Sequence, residues 1–212
     1  MIKKNKTVII GAGGFGREVY QIMKNNESYE CIGFIDNNNQ VDKLPAPIIG
    51  HESSFNDLLS NYSFSNCVIA IGEMKKRKKI FKRIESFATN FPFIKDSSVR
   101  NYSENNINIG SILYPGVVIM NNCHIGQFTL INSGVTIGHD VFIGDFCNIN
   151  PGVNLAGKIA IGDGTLIGIG ACIKENINIG NNVIVGAGSV VINDLPDNSL
   201  AYGVPARLVK NE

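Results

Sequence analysis

The sequence predicts a small α/β domain with a parallel sheet, followed by a parallel β-solenoid. Three observations lead there. A short apolar run near the start, "TVII" (Thr7–Ile10), leads into the glycine loop "GAGGFG" and then a helical stretch to about Asn25. Two further apolar runs, "CIGFI" (Cys31–Ile35) and "CVIAIG" (Cys67–Gly72), recur in the same half, the second leading into "EMKKRKKIFKRIESFA". From about residue 105 to 194 the grammar changes to a strict period of six.

The first half alternates strand and helix, which is a βαβ pattern and implies a Rossmann-like parallel sheet over residues 1–95. Residues 96–106 lie in the polar, aperiodic stretch "KDSSVRNYSENN" and read as a linker. Every sixth residue from Ile107 to Val191 is aliphatic, fifteen in register with no insertion. Residues two places earlier are mostly small or β-branched, and glycine often follows the aliphatic residue. A helix cannot use this pattern, because six is not near a multiple of 3.6 and each glycine would cost it about 1 kcal/mol. Short strands separated by corners can. The repeat therefore gives a solenoid over 107–194, with 195–212 as a tail, and a solenoid can serve as a scaffold without catalysis.

Composition narrows the partners. The net charge is +1 and charged residues make up 17%, so nothing marks the chain as a binder of nucleic acid or membrane surfaces. The basic run "KKRKKIFKR" (Lys75–Arg83) carries Ile80, Phe81 and Ile84 at amphipathic-helix spacing, which gives a solvated basic face rather than a nucleic-acid site. The N-terminal apolar stretch breaks at Gly11, too short for a signal core or a membrane span, so a cytoplasmic location is expected. The five cysteines form no CxxC and no Cys/His cluster at metal spacing; ordinary thiols and no metal are expected.

Gly11, Gly13 and Gly16 fit G-x-G-x-x-G between strand and helix, with Gly14 inside the loop and Asp36 twenty residues beyond Gly16. Such a loop brings backbone N–H groups and a helix N-terminus to a diphosphate, and a carboxylate at the end of the second strand can hold a ribose hydroxyl or a base. NAD is the first inference, but three strands make half a dinucleotide fold, which suits one nucleotide diphosphate better. The glycines also have a purely structural reading, tight helix–strand packing. Gly72 and Arg77, at the end of the third strand, are candidate phosphate contacts.

His139-Asp140 interrupts the repeat in "SGVTIGHDVFIGDF". His139 falls two places after inward Ile137, where the chain turns a corner, and, if three units close one coil as the resemblance described below implies, Gly157, eighteen residues on, lies one coil along the same corner. An imidazole beside a bare backbone N–H suits acyl transfer: the ring takes a proton from the attacking group and the amide receives the developing oxyanion. Asp140 can fix the ring's tautomer. Equivalent corners carry Asn121, Gln127, Asp145 and Asp163, so an ordinary polar corner is the competing reading.

The stretches "GAGGFGREVY", "FIDNN", "VIAIG", "IGHDVFIGDF", "NPGVNLAGKIAIGDGTLIGIGA", "VGAGSVV" and "GVPARLVK" together resemble the bacterial sugar acyltransferases, the group of sialic acid O-acetyltransferase and the nucleotide 4-amino-sugar N-acetyltransferases. The resemblance spans nearly the whole chain. It implies a left-handed β-helix of about five three-unit coils, a homotrimer with sites between subunits, and acetyl-CoA as co-substrate. It places the catalytic base and its acidic partner on His139 and Asp140, and the amide near the thioester on Gly157. The nucleotide loop falls on Gly11–Gly16 with Asp36. Coenzyme A is expected along Gly168, Gly170, Gly188, Pro205 and Arg207. Several relatives have a second histidine where this chain has Asn148, so an amide side chain replaces that contact to the acyl thioester or the contact is lost. The implied reaction is N-acetylation of a UDP- or dTDP-linked 4-amino-4,6-dideoxy sugar for surface glycans. O-acetylation of sialic acid or another sugar, and a nucleotide-binding scaffold without turnover, are the alternatives.

Overall fold

A computed structural model describes residues 4–26, 28–38, 43–87 and 89–209, which divide into two compact units at Ser97/Ser98. In the first, β1 (Asn5–Ile10), β2 (Tyr29–Ile35), β3 (Ile48–Gly50) and β4 (Asn66–Ile69) form one parallel sheet in the order β3-β2-β1-β4. The central strand β1 ends in four consecutive buried residues, as a strand covered on both faces must. Helices α1 (Gly14–Lys24), α2 (Phe55–Tyr62) and α3 (Met74–Ile84) complete the unit. Val19, Ile22 and Met23 of α1 and Ile80, Phe81 and Ile84 of α3 are their buried faces. The sequence reading missed β3, whose three residues are too few to show a period.

In the second unit each repeat contributes a two-residue strand, and each strand pairs in parallel with the one eighteen residues on: His124–Ile125 with Phe142–Ile143, Leu130–Ile131 with Asn148–Ile149, Thr136–Ile137 with Asn154–Leu155. Three sheets result, one per side of a triangular coil. This is the solenoid expected from the period, closed in the three-unit coils that the family resemblance implies. The aliphatic column points inward, and the residues two places earlier, such as Val117, Val135 and Val153, are buried with it. At one corner some of the interior residues, Ser111, Thr129 and Thr165, are hydroxyls that bond up the stack. Thr129 Oγ1 donates to the Gly144 carbonyl at 2.8 Å and accepts from the Cys147 amide at 3.0 Å; Thr165 repeats the arrangement with Gly180 and Val183. Buried corner amides are thereby satisfied.

Each corner needs one residue with positive φ, and the three corner columns fill it differently. One is all glycine: Gly116, Gly134, Gly152, Gly170 and Gly188. Another holds Asn122, Asp140, Lys158 and Asn176, of which the Asn and Asp tolerate the left-handed region better than most side chains.

Two domain boundaries shift. Residues 98–106, read as linker, already belong to the first coil, because Arg100–Asn101 pairs with Val118–Ile119 and Val99 packs on the core. The tail adds Leu200–Gly203 in parallel to Ile184–Val185 and returns antiparallel through Ala206–Leu208, which extends the sheet; residues 210–212 lie outside the described chain.

Candidate active site

His139 and Asp140 occupy the corner between the strand Thr136–Ile137 and the strand Phe142–Ile143. Asp140 takes the corner's positive φ of 59°, and its amide donates to the Asn121 carbonyl at 3.0 Å. From there the carboxylate turns back: Asp140 Oδ2 lies 2.7 Å from His139 Nδ1. The other oxygen, Oδ1, accepts from Asn122 Nδ2 at 2.7 Å. These bonds, first that from Asn122 and then that from His139, with the positive charge of Lys158 adding to them, hold the Asp140 carboxyl below its ordinary value. A depressed carboxyl keeps its contacts above the ordinary titration range and loses them only as pH falls through its own lower value.

With Nδ1 engaged, Nε2 is the free end of the ring, and it lies over Gly157. A Cβ built on Gly157 would sit 2.6 Å from Nε2 and 2.7 Å from Cε1, so no side chain fits there with the ring in place. At the neighbouring corner column, backbone amides are capped from the next coil: Gln127 by Asp145 Oδ1 at 2.9 Å, Asp145 by Asp163, Asp163 by Asn181. Gly157 has no side chain to cap His139 in this way, and among the described residues no acceptor stands on the Gly157 amide. The corner thus pairs a proton acceptor with an open backbone donor.

The remaining histidines have other partners. His124 stacks on Phe142, ring centroids 4.7 Å apart, between the amides of Asn106 and Asn108. His51 precedes the short helical turn Glu52–Ser54 in the first unit.

Of the coenzyme candidates, Gly170 and Gly188 stack in the glycine column with open space where a Cβ would be, and Pro205 and Arg207 are exposed on the tail hairpin. Gly168 does not belong with them. It is buried, and its missing side chain leaves room for the Ala187 backbone one coil on, which a Cβ would meet at 2.5 Å. Asn148 lies on the sheet of Leu130 and Leu166, a different side of the coil from the His139 corner, so a single chain does not bring the two together.

In the first unit the glycines divide by task. Gly11 and Gly16 are buried; a Cβ on Gly16 would overlap the Gly11 carbonyl, so that glycine permits the helix to start against β1. Gly13 and Gly14 are exposed with nothing near their Cβ positions, no side chain caps α1, and its first turn has no acidic residue. That is a helix end open to an anion. Asp36 braces the loop: Oδ2 accepts from the Ala12 amide at 2.7 Å and Oδ1 from the Asn38 amide at 2.8 Å. Gly72 is exposed in the turn after β4. Arg77 is a correction. It is fully buried and its Nη1 donates to the Ile71 carbonyl at 2.7 Å and the Gly72 carbonyl at 3.2 Å, so it fastens the turn after β4 rather than standing exposed beside the loop.

Residues 6–84 match the family model of the PglD N-terminal domain. Comparison with curated protein sequences gave no match. Among solved structures, the chain is similar to a histidine variant of perosamine N-acetyltransferase from Caulobacter crescentus in complex with CoA and GDP-perosamine. That chain is 28% identical, with 100% of this chain and 99% of that one covered and a TM-score of 0.91. The acetyltransferase domain of PglB from Neisseria gonorrhoeae FA1090, in complex with acetyl coenzyme A, is 27% identical over 98% of this chain and 100% of that one, TM-score 0.90. WeeI from Acinetobacter baumannii AYE is 27% identical over 97% and 100%, TM-score 0.86. The resemblance to the sugar acyltransferases read from the sequence is therefore borne out, with a match to the PglD N-terminal domain model ahead of the β-helix. Among the described residues no cluster of three His, Cys, Asp or Glu side chains is placed to hold a metal, and no helix is long and apolar enough to cross a membrane.

Proposed function

We propose that this chain is an acetyl-CoA-dependent N-acetyltransferase acting on the 4-amino group of a nucleotide-linked 4-amino-4,6-dideoxy sugar in bacterial surface glycan synthesis. The observation that carries the reading is the corner in which His139, backed by Asp140 at 2.7 Å, leaves Nε2 over the open backbone of Gly157. The match to N-acetyltransferase structures with CoA and GDP-perosamine supports it and adds GDP to UDP and dTDP as nucleotides to test.

The sugar amine attacks the thioester carbonyl. His139 Nε2 takes the amine proton, the Asp140 carboxylate stabilises the imidazolium, and the Gly157 N–H receives the oxyanion. Collapse forms the amide, breaks the C–S bond and returns the proton from His139 to the departing CoA sulfur. No enzyme acyl intermediate is needed, since the thioester is already activated. Burial pushes the Cys67 thiol well up and that of Cys31 to about 11, opposite to what a nucleophile requires.

The exposed Gly13 and Gly14 and the open N-terminus of α1 take the diphosphate of the nucleotide and Asp36 its ribose or base, with Gly72 beside them. Gly170, Gly188, Pro205 and Arg207 take coenzyme A in a homotrimer whose sites lie between copies, and the Asn148 amide makes the contact to the thioester or the contact is lost. The enzyme works in the cytoplasm.

Thiol release from acetyl-CoA, measured with UDP-, dTDP- and GDP-linked 4-amino sugars and with free sialic acid, tests the reading. Turnover of one nucleotide amino sugar is expected. Activity on free sialic acid alone moves the assignment to O-acetylation, and nucleotide binding without any thiol release reduces the chain to a scaffold.

A further inference from the structure

The charged pair at the corner does not stand alone. Asn122, Asp140 and Lys158 occupy one column, eighteen residues apart, each with positive φ between 58° and 59°. In that column the carboxylate is shared between two donors on opposite sides: Asn122 Nδ2 on Oδ1 and His139 Nδ1 on Oδ2, each at 2.7 Å. We infer that Asn122 is a positioning residue of the active site, whose amide locks the Asp140 carboxylate in the orientation that fixes the His139 ring. The inference rests on the proposed role of His139 as base.

A terminal carboxylate torsion is broad and nearly two-fold, so an aspartate at an exposed corner does not hold one oxygen on a partner unaided. Pinning Oδ1 from the preceding coil removes that freedom and leaves Oδ2 directed at Nδ1. The proton on Nδ1 is then kept by the carboxylate, and Nε2 is kept as the acceptor. The amide suits the task because it donates without bringing charge; the charged groups that face Asp140 are His139 and Lys158. Nothing in the sequence pattern singles out Asn122, since asparagine is common at these corners; it emerges only when the coil is closed and residue 122 falls beneath residue 140.

Two substitutions separate positioning from folding. Asn122→Gly removes the amide at a backbone position that glycine accepts, and Asn122→Asp keeps the shape but faces one carboxylate with another. The three histidines make the ring nitrogens of His139 assignable by NMR, and this readout needs no substrate. In the wild type His139 is expected to be one tautomer with the proton on Nδ1; in Asn122→Gly it becomes a mixture, and the Asp140 carboxyl titrates higher. With the sugar substrate, Asn122→Gly lowers kcat by about tenfold with both KM values unchanged, the size of one lost charge-assisted bond. Asn122→Asp loses more than Asn122→Gly at pH 8 and recovers toward it at pH 6, as the two carboxylates come to share a proton. A tautomer and a kcat unchanged in Asn122→Gly would overturn the inference. A changed tautomer in a protein that acetylates nothing leaves Asn122 as the positioner and sinks the proposed function instead.

Discussion

The β-helix and the N-terminal α/β domain expose their functional residues in different ways. In the β-helix every residue has equivalents eighteen places away, so a deviation is visible against its own column. His139 stands where its column otherwise offers Asn121, Gly157 and Glu175, and Gly157 is the glycine that makes room for its ring. The N-terminal domain has no such internal control. There a buried arginine that ties down a turn and an exposed glycine that meets a ligand look alike in the sequence, and only burial tells Arg77 from Gly13. Repetition supplies a baseline from which chemistry departs; a single βαβ unit supplies none.

The largest test of this contrast is His139→Ala. Turnover is expected to fall about a hundredfold or more, the usual share of a general base, while the melting temperature stays within a degree or so of wild type because the ring is exposed. A matching loss of stability would mean that the corner needs the histidine for its shape. Next in size is a repeat residue with no departure from its column. Ile143→Ala empties a fully buried site and is expected to cost about 2–5 kcal/mol in chemical denaturation. Nucleotide binding by the N-terminal domain should survive at denaturant concentrations that melt the mutant β-helix, and joint loss would show the two halves to fold as one.

Gly157→Ala comes third. The added methyl must displace the imidazole, so kcat is expected to drop by about tenfold or more with little change in KM. A variant as active as wild type would separate Gly157 from the chemistry. A smaller and sharper difference lies within the glycine loop. Gly16→Ala, which overlaps the Gly11 carbonyl, should weaken nucleotide binding in calorimetry far more than Gly14→Ala, whose Cβ points into open space. Equal effects would indicate that the loop rearranges when it binds. The smallest expected effect concerns thiols. At pH 8 a maleimide should label exposed Cys172 promptly and Cys67 only on unfolding, without loss of turnover if no cysteine takes part in catalysis.

Much of the fold was legible because it repeats. Fifteen aliphatic residues in register fixed the inward column, but residues 98–106 escaped, since their first coil is built on Val99 and polar neighbours without the aliphatic beat. The short β3 escaped for want of length. At the site, the His139–Asp140–Gly157 set followed from counting residues around the three-unit coil that the family resemblance implies. Arg77 and Gly168 were misjudged because nearness to a motif in sequence says nothing of burial. Asn122 was invisible because its importance lies in a partner one coil away rather than in its own identity.

The eighteen-residue pairing also sets how this half of the molecule can change in length. Removing or adding a single residue turns every later side chain from the interior to the solvent, whereas a whole coil can be inserted or lost with all three columns still aligned. The β-helix is therefore quantised: its height grows in steps of one coil, and a duplicated coil spliced in beyond Ile179 should lengthen the prism while leaving the corner of His139 and Gly157 as it is.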